Sequence, residues 1–301
     1  MAPVLSALFA FFVKPKGVAL MKLKFTKMHG CGNDYIYFNC FEQTIENPEE
    51  LAVKLSDRHF SIGGDGIVLI CPSDMADAKM RMFNIDGSEG KMCGNAIRCI
   101  GKYLHDNGIS GKNPLKIETL SGIKTLELNT DESDKVTSVR VDMGKAVLKP
   151  SEIPVKLDGD TAIARQVNIG GLSYKITCVS MGNPHCVVFT DTDVEDIELE
   201  KIGPVFEKCE LFPEQVNTEF INVIGKNELK MRVWERGSGE TLACGTGACA
   251  SAVAACLCGY AEKGKDVKVR LLGGDLTINY TDKAVYMTGG AEAAFTGEVE
   301  L

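Results

Sequence analysis

Short runs in which apolar and β-branched residues alternate with polar ones recur along the whole chain and predict β-strands. Seven runs carry this pattern most clearly: DYIYFN from Asp34, DGIVLI from Asp65, LKIETL from Leu115, SVRVDM from Ser138, HCVVFT from His185, VKVRLL from Val267 and LTINY from Leu276. Strands therefore outnumber helices in the predicted fold.

Two segments break the alternation with helical spacing. The first follows Cys93, has apolar residues one helical turn apart, and ends at the stop signal Asn107-Gly108. The second, GTGACASAVAACLCG from Gly245 to Gly259, is small and apolar on all sides. Because a helix that is apolar all round is normally buried, the second helix is expected to form the axis of a domain.

One pattern occurs twice along the chain. KMRMFN at 79–84 and KMRVWE at 230–235 share Lys, Met, Arg and an aromatic residue, and their positions differ by 151. The same difference joins Cys93 to Cys244 and Gly94 to Gly245. We infer two halves descended from one unit, each with a strand, a Gly-rich turn, a Cys-Gly pair and a central helix.

Composition narrows the function classes. With 301 residues, 45% hydrophobic and 25% charged, the chain is typical of a globular protein with room for two domains. Its net charge of −8 and its lack of a Lys/Arg run argue against nucleic acid and against a membrane as partners. A small molecule is the expected partner.

The cysteines do not form a disulfide or metal framework in this interpretation. There are twelve, without any C-x-x-C pair, and only four histidines, none of them clustered with cysteines at metal-ligand spacing. In a chain of this length without a convincing secretion signal, they predict reduced thiols in a cytoplasmic protein. No metal and no cofactor are expected.

Residues 1–21 are predicted to be a dispensable N-terminal extension. The apolar stretch VLSALFAFFV at 4–13 is too short to span a bilayer, and its basic residues, Lys14 and Lys16, follow it. That order is wrong for a signal peptide, although an organelle-targeting role stays open as an alternative.

Cys93 and Cys244 are the candidate catalytic residues. Each lies where a polar, Gly-rich loop turns into a helix, and the positive end of a helix can lower a thiol pKa from about 8.5 into the range ~3.5–7.5. The N–H groups at such helix starts also bind carboxylates. If the two halves bring the thiols face to face, one can remove an α-proton while the other delivers a proton to the opposite side, which inverts a stereocentre.

Four segments resemble the diaminopimelate epimerase family in order, spacing and flanking sequence: KMHGCGNDYIYFN, FNIDGSEGKMCGNAIRC, SMGNPHCVVF and ERGSGETLACGTGACASA. The resemblance covers residues 22–301. It implies cofactor-independent interconversion of LL- and meso-2,6-diaminopimelate, in lysine and peptidoglycan-precursor biosynthesis. It further implies an α/β (α+β) fold of two pseudo-symmetric domains, each a mostly antiparallel sheet or barrel wrapped around a central helix.

The resemblance also implies domain bounds, site residues and assembly. The first domain is expected at 22–139 plus 290–301, the second at 140–289, and the protein is expected to be a homodimer. Cys93 and Cys244 fall on the catalytic pair, and His185 is a supporting residue. The substrate-binding positions are Asn33, Asn84, Gly94, Asn95, Asn183, Asn217, Glu235, Arg236, Gly245 and Thr246.

One position departs from the family pattern. Some members have Phe-Asp-Gln where this chain has Gly64-Asp65-Gly66, so Gly66 can offer only its backbone in place of a Gln contact. Several of the polar residues also have structural alternatives: Asn33 and Asn183 suit turns, Glu235 and Arg236 suit a solvated ion pair, and His185 suits a hydrogen-bonded core position.

Three other functions compete with this interpretation. Gly245 to Ala250 fits the dinucleotide pattern G-x-G-x-x-A, but ten polar or small residues separate it from the preceding strand. Cys93 and Cys244 could form a regulatory disulfide in a thiol-switch protein. Within the enzyme class, a proline or hydroxyproline racemase is the alternative, which the ERGSGETLACGTGACA segment and Asn95 fit less well.

Overall fold

The computed structural model describes residues 22–301, and the predicted extension at 1–21 lies outside the described residues. Most of the described chain is β-structure. The strands are β1 (Lys22–Gly30), β2 (Asn33–Asn39), β3 (Gly66–Cys71), β4 (Ala78–Asn84), β5 (Glu89–Gly90), β6 (Leu115–Thr119), β7 (Gly122–Thr130), β8 (Val136–Asp142), β9 (Arg165–Ile169), β10 (Leu172–Ser180), β11 (Pro184–Phe189), β12 (Asn217–Gly225), β13 (Glu228–Glu235), β14 (Gly239–Glu240), β15 (Asp266–Leu271), β16 (Gly274–Tyr280), β17 (Val285–Gly289) and β18 (Glu292–Glu300). The α-helices are α1 (Pro48–Ser56), α2 (Gly94–Asp106), α3 (Leu199–Glu207) and α4 (Gly245–Leu257), with 3-10 turns at Pro150–Glu152 and Val194–Asp196.

The two halves have the same strand pairing. In the first half β1 is antiparallel to β2, β2 parallel to β3, β3 antiparallel to β4, and β4 parallel to β6 across α2. In the second half β10, β11, β12, β13 and β15 repeat these relations, with α4 in the place of α2. The repeat inferred from the offset of 151 is therefore a repeat of topology as well as of sequence.

The halves are joined twice. The last strand, β18, returns to pair antiparallel with β1, and β17 pairs antiparallel with β8. The predicted domain boundary between residues 139 and 140 lies within β8, and the boundaries as such stay a prediction.

The core is arranged around the two central helices. Buried side chains of α2, such as Ile97 and Ile100, and of α4, such as Ala252 and Val253, belong to one continuous apolar cluster. The outer faces of the sheets are covered by α1 in the first half and α3 in the second. Each half is thus a sheet with a central helix on its inner face and a short helix on its outer face.

The sequence patterns found the principal elements. All seven predicted runs lie in strands, and the helices predicted after Cys93 and from Gly245 are α2 and α4. The sequence did not reveal α1 or α3, because each has only nine residues and α3 carries Pro204 in its interior. Within residues 22–301, no helix combines the length and the apolar character that a membrane span requires.

Gly66 is required where β3 begins. Its φ is 149°, and a Cβ at this position would lie 2.0 Å from the Phe83 carbonyl oxygen of β4. No side chain fits there, so the close pairing of β3 and β4 is a sufficient reason for glycine at position 66.

Replacing Gly66 by alanine tests this constraint. We expect Gly66→Ala to lower the free energy of unfolding by at least about 2 kcal/mol, because the new Cβ forces β3 and β4 apart. The matched control is Gly111→Ala at an exposed site with nothing within 4 Å, which should change stability by less than about 0.5 kcal/mol. Urea unfolding of both variants gives the comparison, and equal stabilities would contradict it.

Candidate active site

The two repeated cysteines lie at the starts of the two central helices. Cys93 is the N-cap residue of α2 and Cys244 the N-cap residue of α4, both with extended backbone conformation. The first helical residues, Gly94 and Gly245, both face Met287 of β17: an added Cβ would meet its side chain at 2.7 Å and 3.1 Å, respectively. The two helix N-termini therefore converge on one point between the halves.

Cys93 is held by residues at the start of β2. Its Sγ lies 3.3 Å from Asn33 Oδ1, and Asn33 Nδ2 donates to Asp65 Oδ2 at 2.7 Å. Asp65 in turn is paired with Arg58, which also binds Asp34. A charged cluster behind the strand thus fixes the amide that contacts the thiol.

Asn95 connects the surroundings of both cysteines. Its Nδ2 group lies 3.3 Å from Asn33 Oδ1 and 3.3 Å from the carbonyl oxygen of Ala243, the residue before Cys244. The side chain is 3% exposed. This single amide links the first helix start to the loop that leads into the second.

Arg98 supports this amide from within α2. The guanidinium is fully buried and donates to Asn95 Oδ1 at 3.1 Å, to the Gly94 carbonyl at 3.0 Å and to the Gly290 carbonyl at 3.1 Å. No carboxylate within residues 22–301 pairs with it. The helix start that carries Cys93 consequently has an uncompensated positive charge directly behind it.

A chain of polar contacts leads from Cys244 into the second half. Cys244 Sγ lies 3.6 Å from Thr246 Oγ1, which accepts from Asn183 Nδ2 at 3.3 Å. Asn183 Oδ1 lies 3.0 Å from His185 Nε2, and His185 Nδ1 lies 2.7 Å from Glu219 Oε1. The His185–Glu219 pair is wholly buried, so it is held in one geometry by the surrounding core.

Glu235 stands beside the Cys244 thiol. The side chain accepts from Thr241 Oγ1 at 2.5 Å and lies close enough to Cys244 for the two groups to shift each other's pKa. Burial raises the pKa of Glu235 and outweighs the lowering by Thr241 and Cys244. Glu235 is therefore a largely buried neighbour of the Cys244 thiol, and within residues 22–301 it forms no ion pair with Arg236 as considered from the sequence.

Arg236 and Asn217 lie next to each other on the far side of Glu235. Asn217 Oδ1 accepts from the Arg236 backbone N–H at 2.9 Å, and Asn217 Nδ2 donates to the Pro184 carbonyl at 3.2 Å. The exposed Arg236 guanidinium donates to the Glu214 carbonyl at 2.8 Å. A carbonyl neutralises no charge, so most of the donor capacity of Arg236 stays open to an anion.

Asn84 is the most separate of the predicted residues. It pairs with Gly66 across β3 and β4, and its Nδ2 donates to Ser88 Oγ at 3.0 Å. Among the described residues, no hydrogen bond joins its side chain to the other predicted positions. The strand pairing brings it to the end of the sheet where Asp65 holds Asn33.

The thiol of Cys93 is less acidic than a free thiol. Burial raises its pKa and outweighs the lowering by the N–H groups of Ala96 and Asn95 and by the charge of Arg98. The expectation that the helix start alone would lower this pKa is wrong in direction.

The shift is larger at Cys244. Burial, followed by the negative charges of Glu235 and Glu219, raises its pKa well above the usual value, against the hydrogen bond from Thr246. Without a substrate, both cysteines are therefore mainly thiols at neutral pH, and the one that ionises for the reaction is a stronger base than an ordinary thiolate.

The described residues do not form a metal-binding cluster. Residues 22–301 contain no group of three or more His, Cys, Asp or Glu side chains placed to hold a metal ion. All twelve cysteines are free thiols.

Three residues of this site were missed from the sequence: Arg98, Glu219 and Asp65. Glu219 had a usable signal, because alternation along β12 places it on the same inner face as the buried Ile221. A charged residue on a buried face is rare unless it has a partner. Arg98 and Asp65 had no comparable signal, because the contacts that tie them to distant parts of the site, Arg98 to Gly290 and Asp65 to Asn33, join positions far apart in sequence.

Solved structures with the same architecture define the class of fold. A phenazine biosynthesis protein of the PhzF family from Bacillus anthracis superposes with a TM-score of 0.69 at 16% identity, covering 93% of this chain and 100% of its own. A hydroxyproline epimerase from Agrobacterium vitis gives 0.66 at 14% identity, covering 93% of each chain. At these identities the likeness establishes the two-domain α/β fold alone.

Sequence comparison specifies the family. The family model for diaminopimelate epimerase matches residues 25–149 and 177–294. A diaminopimelate epimerase of Acetivibrio thermocellus is 58% identical over 281 residues, which is 93% of this chain and 99% of that protein. One from Methanococcus maripaludis is 55% identical, over 93% and 100% of the two chains. This chain belongs to the diaminopimelate epimerase family.

The raised thiol pKa values can be measured by alkylation. In the absence of substrate, peptide mass spectrometry follows the rates at which iodoacetamide alkylates Cys93 and Cys244. We expect both rates to rise with pH through inflections higher than that of an unperturbed thiol. A raised pKa leaves less thiolate at any given pH, so the inflection moves upward. A short cysteine peptide is the control, and an inflection below that of the peptide at either site would contradict the assignment.

Proposed function

We propose that this chain interconverts LL- and meso-2,6-diaminopimelate, with Cys93 and Cys244 as the two acid/base groups and without an external cofactor. The observation that carries the proposal is the convergence of two cysteine-capped helix starts on Met287. Membership of the family supplies the substrate, and the geometry supplies the chemistry.

The α-carboxylate of the substrate lies between the two helix starts in this proposal. The first-turn N–H groups of Gly94 and Asn95 and of Gly245 and Thr246 have no partner within their helices, and together with both helix dipoles they favour an anion. The positive charge of Arg98, on the first turns of α2, also favours an anion at this place. These groups stabilise the negative charge that develops on the carboxylate when the α-proton leaves.

Inversion then follows from two proton transfers. One cysteine, as thiolate, takes the α-proton, and the carbon becomes planar while its charge spreads into the carboxylate. The opposite cysteine, as thiol, gives its proton to the other face. The enzyme is left with the two protonation states exchanged, which is the form that the reverse reaction needs.

Glu235 and His185 support Cys244 in different ways. Glu235 lies beside the thiol, and its raised pKa suits it to take up the thiol proton or to bind a substrate ammonium. His185 acts at a distance, because Asn183 and Thr246 stand between it and the sulfur. We therefore assign His185 a positioning role.

The distal amino-acid end of the substrate needs its own contacts. Arg236 offers a planar guanidinium to a carboxylate, and Asn33, Asn84, Asn183 and Asn217 offer paired donors and acceptors. In this assignment Asn33 and Asn183 have two roles. They contact the distal end of the substrate, and they also hydrogen-bond at the reacting end, Asn33 with Cys93 and Asn183 with Thr246.

We also propose that the protein works in the cytoplasm as a homodimer, with domains at 22–139 plus 290–301 and at 140–289. Twelve cysteines in a chain of this length, with no disulfide between them within residues 22–301, suit a reducing compartment. Gel filtration with light scattering measures the assembly state.

Removal of either thiol tests the proposal. We expect Cys93→Ser and Cys244→Ser each to lower kcat/KM for LL-diaminopimelate by at least about 10²–10⁴-fold, because a serine hydroxyl is a far weaker acid/base group. A coupled meso-diaminopimelate dehydrogenase assay under reducing conditions measures the rate.

Cys256→Ser is the matched control, since Cys256 lies on α4 at the end away from the site. It should retain activity within about twofold, as expected of a substitution outside the reacting groups. Proline and 4-hydroxyproline serve as control substrates, and faster turnover of either than of diaminopimelate would overturn the assigned substrate. Near wild-type rates in a Ser variant would overturn the two-cysteine assignment.

The Asn95 bridge gives a separate prediction. Asn95→Ala removes the contact between the two cysteine loops, and we expect kcat to fall on the order of 10²-fold, because small misplacements of reacting groups are costly. KM should change much less, since the backbone N–H of residue 95 is retained. An increase in KM at unchanged kcat would show that the side chain binds substrate instead of holding the loops.

A further inference from the structure

Two cysteines outside the active site, Cys40 and Cys71, lie side by side at one end of neighbouring strands. β2 and β3 are parallel with Asn39 opposite Ile70, so the next residues in register are these two cysteines. The Cys40 backbone N–H donates to the Ile70 carbonyl at 2.9 Å, which continues the ladder. Parallel strands lie ~4.8 Å apart, within the Cα separation of ~4.4–6.8 Å that a disulfide spans.

The two side chains point to the same face of the sheet. The preceding pairs in register, Ile36–Ile67 and Phe38–Leu69, are buried in the apolar cluster beneath α1. Alternation along both strands places the cysteines on this face, one step further on. There the cluster ends, and both thiols are partly exposed.

Their surroundings make the two thiols unequal. Interaction with the neighbouring Cys40 thiol lowers the pKa of Cys71, assisted by the positive charges of Arg81 and Lys79 on β4, and the same interaction raises the pKa of Cys40. Lys79 lies directly opposite Cys71 in the β3–β4 register. A partly exposed thiol that ionises readily beside a second thiol is the arrangement of a redox-sensitive pair.

We propose that Cys40 and Cys71 form a surface redox site that a low-molecular-weight disulfide oxidises to an intramolecular disulfide. The Cys71 thiolate attacks one sulfur of the reagent, forming a mixed disulfide and releasing one thiolate. Cys40 loses its proton to solvent and attacks the Cys71 sulfur, which releases the second thiolate. The two cysteines give up two electrons and two protons, and the reagent becomes two thiols.

This site is separate from the pair proposed for catalysis. Asn33 and Asp65 mark the N-terminal ends of β2 and β3 at the active site, whereas Cys40 and Cys71 lie at the opposite ends. The pair Cys178–Cys186 provides an internal comparison. It is also in register on adjacent strands, but it is 1% and 0% exposed, so a reagent cannot reach it in the folded protein.

The experiment uses the full chain and glutathione disulfide as the probe. Reduced protein is incubated with the probe at pH 7.5, quenched with acid, alkylated after unfolding and digested for mass spectrometry. We expect a peptide pair linked through Cys40 and Cys71, while Cys178 and Cys186 are recovered as alkylated thiols. Recovery of Cys40 and Cys71 as free thiols, while other cysteines carry glutathione, would overturn the proposal.

Single variants assign the order of attack. In Cys40→Ser, Cys71 has no resolving partner and should accumulate a glutathione adduct about tenfold faster, or more, than Cys40 does in Cys71→Ser. Both variants should keep wild-type epimerase activity and wild-type circular dichroism. Equal adduct rates would overturn the assigned roles, and if a variant fails to fold, the linked wild-type peptide decides.

Discussion

The close approach of two helix N-termini is the constraint on which the rest of the structure depends. Gly94 and Gly245 can both pack against Met287 only because neither has a side chain. That contact brings Cys93 and Cys244, which lie 151 positions apart, to the same place between the halves. The repeated topology, the crossing of β18 to β1 and the β8–β17 pairing all hold the two helices in this relation.

Two opposing effects act on each of the thiols proposed for catalysis, Cys93 and Cys244. Helix N–H groups and positive charge favour the thiolate, whereas burial and nearby carboxylates favour the thiol, and the second effect is larger at both positions. This balance suits proton abstraction from carbon. A weakly acidic thiol gives a strongly basic thiolate. A ligand that brings a carboxylate and an ammonium group into the site adds charges of both signs near the two thiols.

The principal strands, the two central helices and the repeated cysteines could be located from the sequence, but the connections between them could not. Cys93, Cys244 and both central helices were accessible because they repeat at a fixed offset and have local start and stop signals. Asn95 was predicted as a substrate-binding residue, yet its side chain bridges to Ala243, 148 positions away. The direction of the thiol pKa shifts was equally hidden, because it depends on burial and on Glu219, which only the folded chain brings to Cys244.

The fate of solvent deuterium tests the central claim most directly. A thiol that has just taken a proton holds only that proton, so a thiolate acting alone on one face returns the same hydrogen. In D₂O, starting from LL-diaminopimelate, the two-cysteine account predicts that early meso product carries deuterium at the inverted carbon while recovered LL substrate carries none. Mass spectrometry that found deuterium in the recovered substrate, or protium retained in the early product, would contradict it.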